Sequence, residues 1–330
     1  MKPWKIIFLL FLIVGTIYVI SNEPPYRQNS GSIFGTYYNI TYKHDTDLRN
    51  DIEKVLNSVN KSLSPFNKQS VITAINNNQD VESDSLFTYI FTLAQEISSK
   101  TEGTFDITVA PLVNAWGFGF KNAENTDSMA IDSIRKYVGY NKISLANGKI
   151  EKQHPQTMLD CSAIAKGYAC DLVADMLQKK GIENFLVEIG GEVVAKGKNN
   201  KAKAWSIGIN KPVDDASGSN SQLQEIIYIS NKSMATSGNY RNFRYENGQK
   251  LSHTIDPRTG YPVLHTLLSA TVIADDCATA DAYATAFMVA GLDKALEICK
   301  QESLDAYFIY SDSTGKLHTK ETEGMRIYHR

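Results

Sequence analysis

Helix-like and strand-like segments follow one another along this 330-residue chain without a regular strand–helix alternation. Apolar residues at helical spacing predict helices over residues 47–63, 85–101, 131–138, 160–180, 279–289 and 292–301. Short runs rich in β-branched and aromatic residues predict strands over residues 36–42, 185–189, 205–209, 225–229, 269–274 and 306–310. A mixture of this kind favours an α+β fold built around a mixed, mostly antiparallel sheet.

The composition and the charge balance exclude two broad classes of protein. Apolar residues make up 42% of the chain and charged residues 21%, so the chain can bury a core and is not disordered throughout. The 34 Lys and Arg residues against 36 Asp and Glu residues leave a net charge of −2, without a basic run. Nucleic acid is therefore not expected as a partner, and an enzyme or a ligand-binding domain is the default interpretation.

The first 22 residues differ in character from the rest of the chain. Lys2 and Lys5 precede an unbroken apolar run over residues 6–20, and Glu23 follows it. This order is typical of an export signal, so we expect an exported, periplasmic protein. As a helix the run spans about 23 Å, which is short of the roughly 30 Å of a bilayer core. Residues 1–22 are therefore predicted to be either a signal peptide or an anchor in the inner membrane.

Two further segments are predicted to lack regular structure. Residues 23–32 are rich in Pro, Ser and Asn, which predicts a linker, and residues 214–221 are predicted to be a solvated loop.

The chain has four cysteines, at positions 161, 170, 277 and 299, and no two of them form a C-x-x-C motif. Three disulfide connectivities are open to them, but buried free thiols are favoured because a chain of this length can form a core without disulfides.

Fingerprints of several common enzyme classes are absent from the sequence. It contains no G-x-G-x-x-G, no G-x-x-x-x-G-K-[ST], no G-x-S-x-G and no H-E-x-x-H. Dinucleotide-binding Rossmann folds, P-loop enzymes, α/β-hydrolases and zinc proteases therefore have no support from motifs.

Four short clusters combine polar residues with glycine or other small residues where a core does not need them. They are residues 103–106 with 116–119, residues 159–167, residues 235–238 with 253–260, and residues 280–285. Each has an ordinary structural alternative: a glycine-rich loop with a core tryptophan, an N-cap Asp with a surface Lys, an Asp-Pro turn, and a buried Asp–Thr hydrogen bond.

The second and fourth clusters have the chemistry of an anion site and a cation site. Asp160 and Lys166 flank small residues at a predicted helix start, where the backbone favours an anion. Asp281 and Thr285 are four residues apart, which places both side-chain oxygens on one face of a helix. Hard oxygen ligands of this kind suit Mg²⁺ or Ca²⁺ and do not suit zinc.

In this order, the four clusters resemble the ApbE family of FAD:protein FMN transferases, exported enzymes that attach FMN covalently to other proteins. The resemblance covers about residues 34–309 and is carried by AIAKG (163–167), ATSG (235–238), IDPRTG (255–260) and ADAYAT (280–285). It implies one large α+β domain related to the T-fold, which we expect over residues 33–330.

The resemblance also implies a set of site residues. Those expected to bind FAD are Phe34, Phe66, Trp116, Gly117, Phe118, Asp160, Lys166 and His253. The implied metal ligands are the backbone carbonyl of Ala163 and the side chains of Asp281 and Thr285. Many members of the family have Met at the position of Phe34 and Tyr at the position of Phe66. The tyrosine hydroxyl is lost here, although Phe66 can still stack on a ring system.

The implied reaction is a phosphoryl transfer in which a Thr or Ser hydroxyl of the acceptor protein attacks FAD and AMP leaves. Mg²⁺, or alternatively Ca²⁺, would neutralise charge on the pyrophosphate, and Lys166 would stabilise the charge that develops there. His253 is the best candidate to accept the hydroxyl proton, with Asp281 or a metal-bound water as alternatives.

The expected partners are FAD and acceptor subunits of membrane redox complexes. Two rival functions stay open at this point. One is an FAD pyrophosphatase, which would release FMN and AMP, and the other is an exported flavin carrier that catalyses no transfer.

Overall fold

The protein is described here from a computed structural model, which covers residues 3–8, 10–12, 23–121, 127–212, 222–239, 243–246 and 249–329. The strands are β1 (Tyr26–Ile33), β2 (Thr36–Lys43), β3 (Ile143–Ala146), β4 (Lys149–Lys152), β5 (Phe185–Ile189), β6 (Glu192–Lys196), β7 (Trp205–Asn210), β8 (Leu223–Ile229), β9 (Lys232–Gly238), β10 (Phe243–Glu246), β11 (Gln249–Ser252), β12 (Leu267–Ala274), β13 (Asp305–Ser311) and β14 (Leu317–Glu321).

The α-helices are α1 (Arg49–Leu63), α2 (Val71–Asn76), α3 (Ser85–Lys100), α4 (Ala110–Ala115), α5 (Ser128–Arg135), α6 (Ala165–Lys179), α7 (Cys277–Ala290) and α8 (Leu292–Glu302). Short 3₁₀ helices cover Ile107–Val109, Tyr140–Lys142 and Glu323–Tyr328.

An eight-stranded sheet organises the fold, with the strand order β1-β2-β5-β6-β9-β12-β13-β14. Each pair of neighbours in it is antiparallel. Three separate hairpins, β3–β4, β7–β8 and β10–β11, complete the described strands. The expected α+β fold with a mostly antiparallel sheet is therefore confirmed.

The two faces of the sheet are covered differently. The main core packs helices α1, α6 and α7 against inward-facing strand residues such as Tyr38, Ile40 and Tyr42 of β2. On the other face, the β7–β8 hairpin brings Trp205 and Ile227 into a second apolar cluster. The residues of β2 alternate between the core and the surface, as the period of two in a strand requires. The sheet is therefore the middle layer, and both layers around it contribute to the site described below.

Helix α7 is buried along most of its length because its sequence consists largely of small apolar residues. The Asp276 carboxylate accepts the Thr279 N–H at 2.8 Å, and Asp171 of α6 accepts the N–H groups of Cys277 and Ala278 at 2.8 and 2.9 Å. Two carboxylates thus satisfy the donors that a helix leaves unpaired at its start. They fix the first turn of α7 against α6.

Most elements predicted from the sequence are present within a few residues of their expected ends, but the prediction of a linker over residues 23–32 is wrong from Tyr26 onward. Residues 26–33 form β1, which pairs with β2 at the sheet edge. Its polar composition is compatible with the sheet because Asn29, which is buried, accepts a hydrogen bond from the Tyr42 hydroxyl at 2.7 Å. An edge strand with polar residues lacks the pattern of apolar residues from which strands are predicted.

The helix predicted over residues 160–180 begins later, at Ala165. The Asp160 carboxylate accepts the N–H of Ser162 at 2.8 Å, which holds residues 160–162 in a local turn. Side-chain bonds of this kind compete with the helical backbone. The correction leaves Asp160 in a loop that leads into the helix.

Parts of the sequence predictions fall on residues that the structure does not describe. The loop over residues 214–221 lies outside the described residues, as do positions 1, 2, 9 and 13–22 of the leader. Residues 3–8 and 10–12 are helical. No helix within the described ranges has the length and apolar character needed to cross a membrane.

The four cysteines are buried, and their thiols are free, as the sequence favoured.

Candidate active site

The first turns of α6 and α7 cross at close range, and a glycine makes this approach possible. A Cβ atom on Gly167 would lie 2.2 Å from the carbonyl oxygen of Cys277, which is backbone and cannot move aside easily. The Gly167 N–H, one of the free donors of the first turn of α6, is bonded instead to Oδ2 of Asp281 at 3.1 Å. The glycine therefore permits the contact and orients Asp281.

A cavity of about 680 Å³ opens beside this crossing, and we call it the inner cavity. Its size lies within the roughly 300–1,000 Å³ typical of cofactor and ligand pockets. Walls come from β5, β6 and β9, from the β7–β8 hairpin, and from the loop before α6. Of the predicted site residues, the structure brings seven together in its lining, namely Phe118, Asp160, Ala163, Lys166, His253, Asp281 and Thr285.

Asp281 lies on the floor of the inner cavity and is only 2% exposed. One carboxylate oxygen, Oδ2, accepts the Gly167 N–H, while Oδ1 faces the Lys166 ammonium at 3.9 Å. Burial raises the pKa of Asp281, and the nearby Lys166 and the Gly167 N–H act in the opposite direction. One oxygen of this carboxylate therefore accepts a backbone hydrogen bond, and the other faces the Lys166 ammonium.

Lys166 lies between two carboxylates. Its Nζ atom is 2.5 Å from Oε1 of Glu192 and 3.9 Å from Oδ1 of Asp281. Burial alone would lower the pKa of Lys166, but the charges of Asp281 and Glu192 outweigh it and raise that pKa above its ordinary value. Lys166 is therefore a permanent ammonium, with 30% of its side chain exposed in the cavity wall.

Glu192 is a site residue that sequence reasoning missed. It is 3% exposed, and its second oxygen, Oε2, is buried without a hydrogen-bond partner among the described residues. Burial raises the pKa of Glu192 to about 7, against the attraction of Lys166. The stretch VEIGGEVV contains this glutamate but gives no sign that it is buried, because its burial depends on Lys166, 26 positions earlier in the chain.

The residues proposed as metal ligands supply oxygen atoms of three kinds. Asp281 offers a carboxylate, Thr285 a hydroxyl that lies 3.1 Å from the hydroxyl of Ser237, and Ala163 a backbone carbonyl. No described backbone N–H donates to the carbonyl oxygen of Ala163. Within the described ranges, no group of three or more His, Cys, Asp or Glu side chains could hold a metal ion. The donor set is thus all oxygen with a single carboxylate, which fits a hard cation such as Mg²⁺ that keeps several of its waters.

The lining of the inner cavity also includes the other predicted polar and aromatic residues. The ring of His253 packs edge-on against Phe118, with ring centroids 6.4 Å apart. Asp160 accepts the N–H of Ser162, and its burial raises its pKa. An imidazole, an aromatic ring and a carboxylate therefore line the same cavity as Asp281 and Lys166.

Phe34 and Phe66 line a second space, the outer cavity, of about 700 Å³. Ser162 and Lys166 line both cavities, so the two spaces adjoin at the start of α6. Phe66 is 69% exposed, and its ring meets that of Phe120 edge-on at 6.1 Å. The outer cavity thus presents aromatic surface beside the polar floor of the inner one.

The structure does not place Trp116 or Gly117 among the residues that line either cavity. Trp116 is buried, and its indole N–H donates to the carbonyl of Gly260 at 2.8 Å. Its ring also packs near that of Tyr261. Trp116 therefore anchors the Asp-Pro turn that follows His253, which agrees with the alternative of a core tryptophan that the sequence left open.

Comparison with known proteins bears directly on this arrangement. The model of the ApbE family matches residues 34–308. An FAD:protein FMN transferase of Haemophilus influenzae is 38% identical over 303 residues, which cover 87% of each chain. The solved structure of the flavin transferase ApbE from Vibrio cholerae has 32% identity and a TM-score of 0.82, and the match covers 92% of this chain and 100% of that one. The apo form of a Pseudomonas stutzeri flavinyl transferase ApbE has 28% identity and a TM-score of 0.82, with 93% and 97% covered.

Proposed function

This chain belongs to the ApbE family, and from that premise we propose that it is an FAD:protein FMN transferase. The observation that carries the proposal is the crossing of α6 and α7. It places Lys166, Asp281 and Thr285 in the wall of one cavity, which Ala163 of the loop before α6 also lines. The cleavage of a pyrophosphate requires an ammonium and a set of hard oxygen ligands in the same site.

The proposed reaction joins FMN to a Thr or Ser hydroxyl of an acceptor protein. The hydroxyl oxygen attacks the phosphorus on the FMN side of the FAD pyrophosphate, and a new P–O bond forms. The bond from that phosphorus to the bridging oxygen breaks, AMP leaves with the bonding electrons, and the hydroxyl proton passes to a base. The products are AMP and an acceptor that carries FMN through a phosphoester bond.

Asp281, Thr285 and the carbonyl of Ala163 would hold Mg²⁺, with Ca²⁺ as the alternative. When bound, such an ion neutralises negative charge on phosphate oxygens. Lys166 contributes a second positive charge from the wall between the two cavities, where it contacts the phosphates and stabilises the charge that develops during transfer.

His253 is the proposed proton acceptor for the attacking hydroxyl. It lines the inner cavity together with Asp281 and lies beside Phe118. A neutral imidazole can accept a proton near neutral pH and can also orient the nucleophile by a hydrogen bond. Phe34 and Phe66 supply aromatic surface in the adjoining outer cavity that suits the flavin ring.

The cellular setting is part of the proposal. The positively charged start and the apolar run over residues 6–20 support export to the periplasm, with the leader as a signal peptide or an inner-membrane anchor. The proposed acceptors are subunits of membrane redox complexes, modified on Thr or Ser.

The test combines the purified protein with FAD, Mg²⁺ and a purified subunit of a membrane electron-transfer complex as acceptor. A fluorescent acceptor band on a denaturing gel, with release of AMP, is the expected result. Free FMN and AMP without labelled acceptor would identify an FAD pyrophosphatase, and intact FAD would identify a flavin carrier. Either outcome would overturn the transferase. Parallel reactions with Ca²⁺ in place of Mg²⁺ decide between the two ions.

A further inference from the structure

We propose that Glu192 is a positioning residue of this site, which holds the Lys166 ammonium away from Asp281 and so keeps the Asp281 carboxylate available to a divalent cation. The inference rests on the proposed function for the cation site. It concerns a residue that neither touches the reacting atoms nor belongs to the predicted ligand set.

The position of Glu192 is fixed by the backbone. It opens β6 directly after a tight turn at Gly190 and Gly191, whose φ angles are +68° and +108°, and it pairs with Ile189 of β5. The Cys170 thiol donates to the backbone carbonyl of Glu192 at 3.3 Å. The backbone of Glu192 is therefore fixed, and its side chain is only 4% exposed, against 30% for that of Lys166, so the carboxylate has little room to move and the lysine adapts to it.

The two oxygens of Glu192 have different surroundings. Oε1 meets the Lys166 ammonium at 2.5 Å, whereas Oε2 is buried and has no partner among the described residues. Oε2 lies against Gly190, 3.2 Å from the position that a Cβ atom there would take. A buried carboxylate with one unsatisfied oxygen is unfavourable for stability, so its charge serves the ion pair with Lys166.

The geometry of Asp281 shows what the ion pair prevents. Oδ2 of Asp281 is committed to the Gly167 N–H, so Oδ1 is the oxygen left for a cation. Lys166 faces that same oxygen at 3.9 Å, just beyond hydrogen-bond distance. Glu192 and Asp281 are the two carboxylates within 4 Å of the ammonium in the described structure. Without the charge of Glu192, Lys166 would bond to Oδ1 and compete with the cation for it.

The experiment measures Mn²⁺ binding to the full-length protein in the absence of FAD, from the electron paramagnetic resonance signal of free Mn²⁺. Glu192→Gln keeps the shape of the side chain and removes its charge. We expect it to weaken Mn²⁺ binding by roughly 10–100-fold, the usual effect of losing a residue that supports a metal ligand. Glu183→Gln, an exposed position on the loop before β5, is the control and should bind Mn²⁺ like the wild type.

A second variant separates positioning from a general structural role. In Glu192→Gln/Lys166→Met the competing ammonium is absent, so Mn²⁺ affinity should return to within about 3-fold of the wild type; such non-additivity is the sign of two residues that act through each other. Melting temperatures and circular dichroism establish that each variant is folded.

Wild-type affinity in Glu192→Gln would overturn the inference, as would a double variant that binds as weakly as the single one. A wild-type protein that binds no Mn²⁺ would overturn it together with the cation site. The transferase activity itself is judged separately, by the labelling of the acceptor.

Discussion

The inner and outer cavities adjoin at Ser162 and Lys166, yet they differ in the kind of residues that line them. The inner cavity is lined by residues of two helices that pack together, α6 and the buried α7, with Asp281 fixed by a backbone N–H and Lys166 held between carboxylates. The outer cavity is lined by the end of α1, by the turns at residues 34–35 and 64–67 and by the start of α6, and its Phe66 ring is largely exposed. The comparison teaches that the charged groups of the site are fixed by hydrogen bonds, ion pairs and burial, whereas the outer cavity adds an exposed aromatic side chain.

The rigidity of the floor has identifiable causes. Gly167 lets the backbones of α6 and α7 approach, and the carboxylates of Asp171 and Asp276 fix the first turn of α7. A site on packed helices holds its geometry better than one on loops, because each side chain is confined by its neighbours. Substitutions in the floor should therefore affect transfer much more than substitutions in the outer cavity.

The largest effect is expected for Asp281→Ala, which removes the single carboxylate of the proposed ligand set. Loss of several kcal/mol of charge stabilisation predicts a fall in FMN transfer of at least about 10³-fold. Asp275→Ala, an exposed carboxylate nearby in the chain, is the matched control and should keep its activity. Near-wild-type transfer by folded Asp281→Ala after treatment with a chelator would remove the metal assignment.

His253→Ala should come next, with transfer slowed by roughly 10²–10⁴-fold if the imidazole accepts the proton of the nucleophile. FAD affinity should change much less, because Lys166 and the oxygen ligands still hold the pyrophosphate. The variant should also lose the rise in rate with pH that a histidine base confers.

Single-turnover transfer, measured beside FAD affinity from flavin fluorescence, separates the two roles open to His253. Equal losses of rate and affinity would show that His253 only positions the turn that Trp116 anchors through Gly260.

Gly167→Ala tests the helix crossing itself. The added methyl would lie 2.2 Å from a backbone oxygen, so α6 and α7 must move apart. Overpacking of this kind destabilises a protein by typically about 1–3 kcal/mol, and here it also displaces the N–H that orients Asp281. We expect a lower melting temperature together with reduced transfer.

Gly181→Ala, at the other end of α6, is the control for that experiment. Its φ is +77° and no atom lies within 4 Å of the added Cβ, so the change strains the backbone without a clash. It should lower stability and leave transfer unchanged. If Gly167→Ala behaved in the same way, the crossing would not determine the geometry of the site.

The smallest effect is expected in the outer cavity. Phe66→Ala removes an exposed ring whose proposed stacking on flavin would be worth about 0.5–1.5 kcal/mol, or roughly 2–12-fold in FAD affinity. The transfer rate at saturating FAD should hardly change. Ile327→Ala, another exposed apolar side chain, should have no effect on either quantity. A loss of rate as large as that of His253→Ala would contradict the division between floor and outer cavity.

The sequence predicts the floor of the site better than its surroundings. Asp281 and Thr285 are four residues apart on one helix, so their shared face follows from helical geometry, and the structure places both in the inner cavity. Lys166 and Ala163 are adjacent to a helix start whose approximate position was also predicted. Local spacing was sufficient for Asp281, Thr285 and Lys166, whereas Ala163 was expected only from the family resemblance.

Glu192, β1 and Trp116 could not be assigned in this way. The burial of Glu192 depends on Lys166 of another element, and a glutamate after two glycines is ordinary for an exposed turn. The strand β1 is polar because it lies at the sheet edge and its Asn29 bonds to Tyr42. Trp116 serves a turn that lies 144 positions further along the chain. These roles depend on contacts between residues that are distant in the sequence, and such contacts cannot be predicted from composition or periodicity.

The most direct test of the division of labour between the two cavities is a crystal structure of the wild-type protein with FAD and Mn²⁺, in which anomalous scattering locates the metal. The structure should show Mn²⁺ bound by Asp281, Thr285 and the carbonyl of Ala163, with the pyrophosphate beside it and beside Lys166. The flavin ring should contact Phe34 or Phe66 in the outer cavity. An anomalous peak away from Asp281, or a pyrophosphate out of reach of Lys166, would contradict this assignment.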